Sequence, residues 1–149
     1  MDACFICAKH RDIDRGAPGG ALIADEHVVV SHLPLSTPAG TAAAAYLGHL
    51  LVEPRRHLSE LGALDAAEAA SFGRLAAVAS ASLAAAGAEH VYAAVIGHGV
   101  SHLHLHLMAR YPGTPREYWW TRVDEWPDAP RADASGIAAF VARLRGHLG

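Results

Sequence analysis

The chain has 149 residues, 52% of them hydrophobic and 18% charged, with a formal charge of -3. This length supports one domain with a core of its own and no need for disulfide staples. The slightly acidic balance excludes the general attraction that draws basic proteins to nucleic acid or anionic membranes, so neither is expected as a partner. No apolar run approaches the roughly 20 residues that span a bilayer. Met1-Asp2-Ala3-Cys4 lacks the basic and apolar stretches of a signal peptide, and a cytoplasmic location is the expectation. Lys9 is the only lysine, Asn and Gln are absent, and there are eleven histidines.

The chain opens on Cys4 and Cys7, its two cysteines. Three residues apart in a reducing compartment, such a pair binds metal or serves in redox chemistry. With the Gly16-Ala17-Pro18-Gly19-Gly20 run that follows, residues 1–20 read as a knuckle and a turn. Residues 21–25 and 27–31 read as short strands, and 33–41, with Pro34, Pro38 and Gly40, as loop. Residues 48–53 form the next strand, stopped by Pro54.

Residues 64–86 are the clearest helix. Asp65 and Glu68 have capping-box spacing, Phe72, Leu75, Ala79 and Leu83 make an apolar stripe, and Gly87 supplies a stop. At 1.5 Å per residue it is about 33 Å long. Its remaining face is mostly Ala, Ser and Gly73, which lets another backbone approach. Residues 90–97 read as a buried strand, Gly97-His98-Gly99 as a break, and 101–109 as a strand with strict alternation. Residues 110–128 are irregular and rich in Pro, Trp and Arg. Ile137, Phe140, Val141 and Leu144 mark a terminal amphipathic helix. Hairpin-like strands with two helices predict an α+β domain over 1–149, mainly antiparallel, in which 110–149 is a C-terminal extension.

His102, His104 and His106 carry the strongest chemical signal. In a strand they share one face, about 7 Å apart in succession, while Leu103, Leu105 and Leu107 point into the core. Three imidazoles on one face suit a metal site, or nucleophilic catalysis by one histidine oriented and assisted by its neighbours.

The run His102-Leu103-His104-Leu105-His106-Leu107-Met108 resembles the His-φ-His-φ-His-φ-φ signature (φ apolar) of the histidine triad, or HIT, family of nucleotide hydrolases and transferases. Residues 48–57, Gly-His-Leu-Leu-Val-Glu-Pro-Arg-Arg-His, resemble the family's Gly-His strand. Cys4-x-x-Cys7 resembles the zinc knuckle of many bacterial members, and Asp25-Glu26-His27-Val28 the early hairpin. The resemblance implies a sheet of about five antiparallel strands crossed by the long helix, a homodimer, and a nucleotide substrate.

It further implies that His104 is the nucleophile on the α-phosphorus, that His106 contacts the phosphate or leaving group, and that His49 lies beside them. The implied zinc is structural, held by Cys4, Cys7, His57 and His102, with no catalytic metal required. The lead-in to the triad departs from the family pattern, which has Asn, Gly-Gln and a hydroxyl residue there. Ser31-His32 is the nearest match to the acidic residue that grips the ribose. Substrate contacts therefore fall to His98, the Gly99 backbone, Ser101, His32 and Arg110. The Leu33–Leu47 stretch is longer than the family pattern near the site. The expected reaction is hydrolysis or nucleotidyl transfer on nucleoside phosphoramidates or dinucleoside polyphosphates, through a nucleotidyl-histidine. The alternatives are a metal-dependent hydrolase that uses the three histidines as ligands, and a non-catalytic nucleotide-binding protein.

Overall fold

Five strands lie side by side in the order β1-β2-β6-β8-β7, every neighbouring pair antiparallel. They are β1 (Ile23–Ala24), β2 (Val28–His32), β6 (His49–Pro54), β7 (His90–Val95) and β8 (Leu105–Arg110). The structure is a computed structural model that describes residues 4–148; Met1–Ala3, on which part of the reading of the N-terminus falls, and Gly149 lie outside them. Directly opposed residues of an antiparallel ladder share a face. The register pairs Leu51 with His106, His49 with Met108 and Val29 with Glu53, so these residues share one face. Val28, Val30, Leu50, Val52 and Leu107 occupy the other, and all are at most 2% exposed.

That inner face is covered by α2 (Ala66–Ala85), which buries Phe72, Leu75, Ala79 and Leu83. The capping box forms as the sequence predicts: Asp65 accepts from the Glu68 N–H at 2.8 Å, and Glu68 accepts from the Asp65 N–H at 2.9 Å. Arg56 then donates to both Glu68 oxygens at 2.8 Å, tying the helix start to the turn after β6. The terminal helix α3 (Ala134–Arg145), capped by Asp133, adds Ile137, Phe140, Val141 and Leu144 to the same core.

The outer face is covered in two pieces. Over one end lies α1 (Phe5–Asp14), a helix where the sequence suggested only a knuckle and turn. Its N-cap is Cys4, whose Sγ accepts from the Cys7 N–H at 3.4 Å. Over the other end lies the 110–130 segment, where Val123 and Ala129 pack with Tyr46 and Met108. His49, His104 and His106, all half-buried, belong to this outer side.

Three further expectations are corrected. The 33–41 stretch is not simply loop: β3 (Ser36–Thr37) and β4 (Gly40–Thr41) form a small hairpin within it, and beyond it β5 (Ala45–Tyr46) pairs with β9 (Arg131–Ala132). The strand read as buried over 90–97 is the exposed edge of the sheet, with Val95 44% and Ile96 41% accessible. The ladder of β8 begins at Leu105, not at Ser101. Among the described residues no helix is long and apolar enough to cross a membrane.

Candidate active site and metal centre

The residues ahead of β8 are pinned to the turn after β6, because the Leu103 N–H donates to the Leu58 carbonyl at 2.7 Å. This sends His102 away from the other two histidines, into a fully buried position against the start of α1. Its Nε2–H donates to the Pro54 carbonyl at 2.7 Å, which leaves Nδ1 with a free lone pair. That Nδ1 lies 3.5 Å from both Cys4 Sγ and Cys7 Sγ. His57 Nδ1 lies 3.7 Å from Cys7 Sγ, and the four donor atoms all fall within 4.8 Å of one another. Tetrahedral zinc with ordinary Zn–S and Zn–N bonds sets S···N edges at about 3.6 Å. Both the donor set and these edges fit zinc.

His104 and His106 turn to the outer side, their ring centroids 4.9 Å apart. His104 donates from Nδ1 to the carbonyl of His102 at 2.7 Å. In the neutral ring this bond keeps the proton on Nδ1 and leaves the Nε2 lone pair free. On the neighbouring strand, His49 Nε2 lies 2.8 Å from His106 Nδ1. Burial, then the His106, His32 and His104 rings, push His49 down to about 3. Burial, then His104, push His106 down to about 4. The pair is therefore neutral near pH 7 and shares one proton in its hydrogen bond.

Gly48 fixes the entry to this strand. Its φ is +99°, and a Cβ there would sit 2.8 Å from the Ala109 Cβ and 2.5 Å from the Tyr111 hydroxyl. A residue without a side chain is thus needed on both conformational and steric grounds. The Gly48 N–H donates to His32 Nε2 at 3.1 Å, and His32 Nδ1–H donates to the Leu33 carbonyl at 2.9 Å. Both nitrogens of His32 are thus engaged by backbone. The ring packs edge-on against Phe140 and holds the turn before His49.

Of the other residues nominated for substrate contact, His98, Gly99 and Ser101 are exposed in the loop joining β7 to β8. Arg110 is not brought to the histidines. It ends β8 opposite His90, about 13 Å along the strand from His106. Its guanidinium stacks 3.7 Å over the Trp119 ring and donates to the Tyr92 hydroxyl at 2.7 Å and to Glu89 at 3.3 Å.

One group was missed in the sequence. Glu53 is completely buried on the outer face and receives Lys9 Nζ at 2.8 Å and His10 Nε2 at 3.4 Å. The Lys9 and His10 hydrogen bonds and charges hold Glu53 below the ordinary carboxylate range despite its burial. An acid directly after the apolar run Leu50-Leu51-Val52, and the only lysine two residues after Cys7, were the available signals.

Two cavities flank Leu33–Leu35. One of about 440 Å³ opens between α1, Ser31–Ser36 and α3. The other, about 350 Å³, lies between the β3–β4 hairpin and Asp124 and Arg131, with His49 on its wall.

Comparison with known proteins agrees with this fold. The family model of the HIT domain matches residues 24–113. A hypothetical histidine triad nucleotide-binding protein from Sulfolobus tokodaii superposes with a TM-score of 0.68 at 19% identity, over 97% of this chain and 91% of that one. A zinc-bound histidine triad family protein from Mycobacterium smegmatis gives 0.64 at 19% identity, over 97% and 94%. A histidine triad protein from Sinorhizobium meliloti gives 0.64 at 21% identity, over 93% and 94%. No curated protein matches. With the family model covering more than half of its length, the chain belongs to the HIT domain family.

Proposed function

We propose that the protein is a nucleotide hydrolase or nucleotidyltransferase that works through a covalent nucleotidyl-His104 intermediate on nucleoside phosphoramidates or dinucleoside polyphosphates. The observation that carries this reading is the hydrogen bond from His104 Nδ1 to the His102 carbonyl, which in the neutral ring leaves the Nε2 lone pair free as a nucleophile on the outer side of the sheet. In the first step Nε2 forms a bond to the α-phosphorus while the bond to the leaving group breaks. The electron pair goes with the leaving group, which takes up a proton. In the second step water, or another acceptor, bonds to phosphorus and gives up its proton, and the imidazole departs neutral. Two easier displacements replace one difficult one.

His49 and His106 support both steps. With His49 donating in their shared bond, His106 keeps its proton on Nε2 and presents an N–H to the phosphate. Such a donor needs no reorganisation as charge develops. His98, Ser101 and the Gly99 N–H, exposed on the loop before the strand, are the further candidates for phosphate contact. The cavity of about 440 Å³, walled by Phe5, Ile13, Ile137 and Val141, has the size and apolar lining of a nucleoside pocket.

Zinc in the Cys4, Cys7, His57 and His102 cluster would tie α1 to the segment ahead of the nucleophile. Its role in this reading is structural. His102 points one nitrogen at that cluster and the other at Pro54, so it has none left to share a metal with His104 and His106. This weighs against the three-histidine metal centre. The free edge of β7, with exposed Val95 and Ile96, and the small-residue face of α2 support a homodimer.

The test is a trapped intermediate. Substrate labelled in its α-phosphate should leave label on the protein after a quench that avoids acid, and none on a His104→Ala variant. Equal labelling of the two overturns the assignment.

A further inference from the structure

Residues 36–44 are the part of the chain that neither the core nor the proposed chemistry uses. None of them joins a core cluster. The segment is nonetheless built: Ser36 and Thr41 share a hydroxyl–hydroxyl hydrogen bond of 3.0 Å, and Thr37 pairs with Gly40 across the turn. Gly40, at φ +132°, permits that turn. Beyond the hairpin, β5 pairs with β9, which sets Arg131 opposite Tyr46, and Arg131 donates to the Asp124 carbonyl. These pieces enclose the cavity of about 350 Å³.

We propose that this cavity is the subsite for the leaving group of the transferred nucleotide, and that it takes a polyhydroxylated group carried on a phosphate. The proposal rests on the nucleotidyl-transfer reading of His104 and extends it to the other half of the substrate. Continuity is the first argument. His49 forms part of the wall, and its Nε2 is 2.8 Å from His106, whose ring abuts His104. A group in this cavity therefore borders His49, the imidazole bonded to His106 beside the nucleophile.

Separation is the second. The two cavities share only Leu33, Pro34 and Leu35, so a substrate with two ends can rest one on either side of that segment. Lining chemistry is the third. The larger cavity is mostly apolar, whereas this one is lined by Thr37, Thr41, Asp124, Arg131 and His49. Donors and acceptors in mixture, with one cation balanced by one anion, match hydroxyl groups better than a bare polyanion or an aromatic ring.

The experiment has a binding arm and a turnover arm. In the first, glucose 1-phosphate is titrated to millimolar concentration into the full-length wild-type protein, and backbone and histidine-ring NMR signals are followed. Shifts confined to residues 33–46, His49 and Arg131 are expected. In the second, kcat/KM is measured for adenosine diphosphate glucose, which would release glucose 1-phosphate, and for adenosine 5′-phosphoramidate, which releases only ammonia. Ala42→Trp, on the exposed hairpin, should lower the ratio of the two values about tenfold, and Thr37→Val should lower it about threefold, on the scale of one lost polar contact.

An unchanged ratio in both variants overturns the proposal, as do NMR shifts that fall on the larger cavity or nowhere. If the wild-type protein turns over neither substrate while the 33–49 signals still move, the nucleotidyl-transfer reading fails and the polyol-phosphate site stands.

Discussion

His102 and His106 sit four residues apart in one alternating run, yet the structure gives them opposite surroundings. His102 is wholly buried, its Nε2 spent on the Pro54 carbonyl and its Nδ1 aimed at two sulfurs. His106 is half-buried, is paired with another histidine, and keeps a ring face beside His104. The difference arises from backbone, not from residue type. Leu103 is tied to Leu58 ahead of the ladder, and the chain enters β8 only at Leu105. One imidazole is thereby handed to a metal-type cluster and two to a reactive-type cluster, joined through the carbonyl of His102 that fixes His104. The division teaches that a tautomer is set by whatever partner occupies the rear nitrogen.

The sharpest way to break the comparison is His104→Ala. Removing a nucleophile should lower kcat by at least about 10⁴-fold, as it does where one residue forms the covalent bond. Zinc content and thermal midpoint should stay near wild type, because His104 contributes neither a donor to the cluster nor a buried apolar surface. Measured together, loss of zinc along with activity would merge the two clusters into one site.

The complementary change is Cys4→Ser with Cys7→Ser. Metal bound only by the folded state adds folding free energy. Losing even ~3 kcal/mol of it should lower Tm by about 10 °C in a chain of this size. Elemental analysis should show less than one zinc per chain, and circular-dichroism melting gives the shift. An unchanged melting point with full zinc would remove the proposed centre.

His106→Ala sharpens the division within the reactive half. It removes a donor and not the bond-forming atom, so a kcat loss of about 10²–10³ is expected. A covalent intermediate should still be trapped on His104 in this variant. A loss as deep as that of His104→Ala would make the two rings a single unit.

Much of this arrangement was legible in the sequence where local chemistry decides it. The capping residues Asp65, Glu68 and Asp133 act as their types dictate, and Gly48 is required by the turn it makes. The four proposed zinc donors came from the resemblance to the HIT family, which joins the Cys4–Cys7 pair to His57 and His102, and the structure brings their donor atoms within 4.8 Å of one another. Long-range packing was not legible. Nothing local shows that α1 forms, since it buries only Ile6 and His10 and is capped by a thiol. Nor does alternation reveal that β7 is an exposed edge, because alanines at 93 and 94 read as buried whether or not another strand covers them. The Glu53–Lys9–His10 cluster depends on α1 lying across β6, a contact 43 residues apart in sequence. Arg110 was assigned to substrate from its place after the triad. In the structure it contacts Glu89, Tyr92 and Trp119, which come from the neighbouring strand and its approach and from the irregular segment.

The smallest effect separates the clusters by pH. His49 and His106 are pushed down to about 3 and about 4, from an ordinary 6.5, mainly by burial. As pH falls below 6.5 the unfolded chain takes up protons that the folded pair refuses. The unfolded state then binds more protons, so stability is full above 6.5 and declines as pH drops toward 4. Discounted for partial exposure, the His49 share of that decline is about 2 kcal/mol. His102 and Glu53 also respond to acid, so the informative quantity is a difference between proteins. Urea unfolding at several pH values, on wild type and His49→Asn, should give curves that converge as pH falls, because the variant lacks the group that resists protonation. Parallel curves across that window would mean that the His49 ring protonates as readily in the folded protein as in solvent, and the neutral pair beside the nucleophile would have to be abandoned.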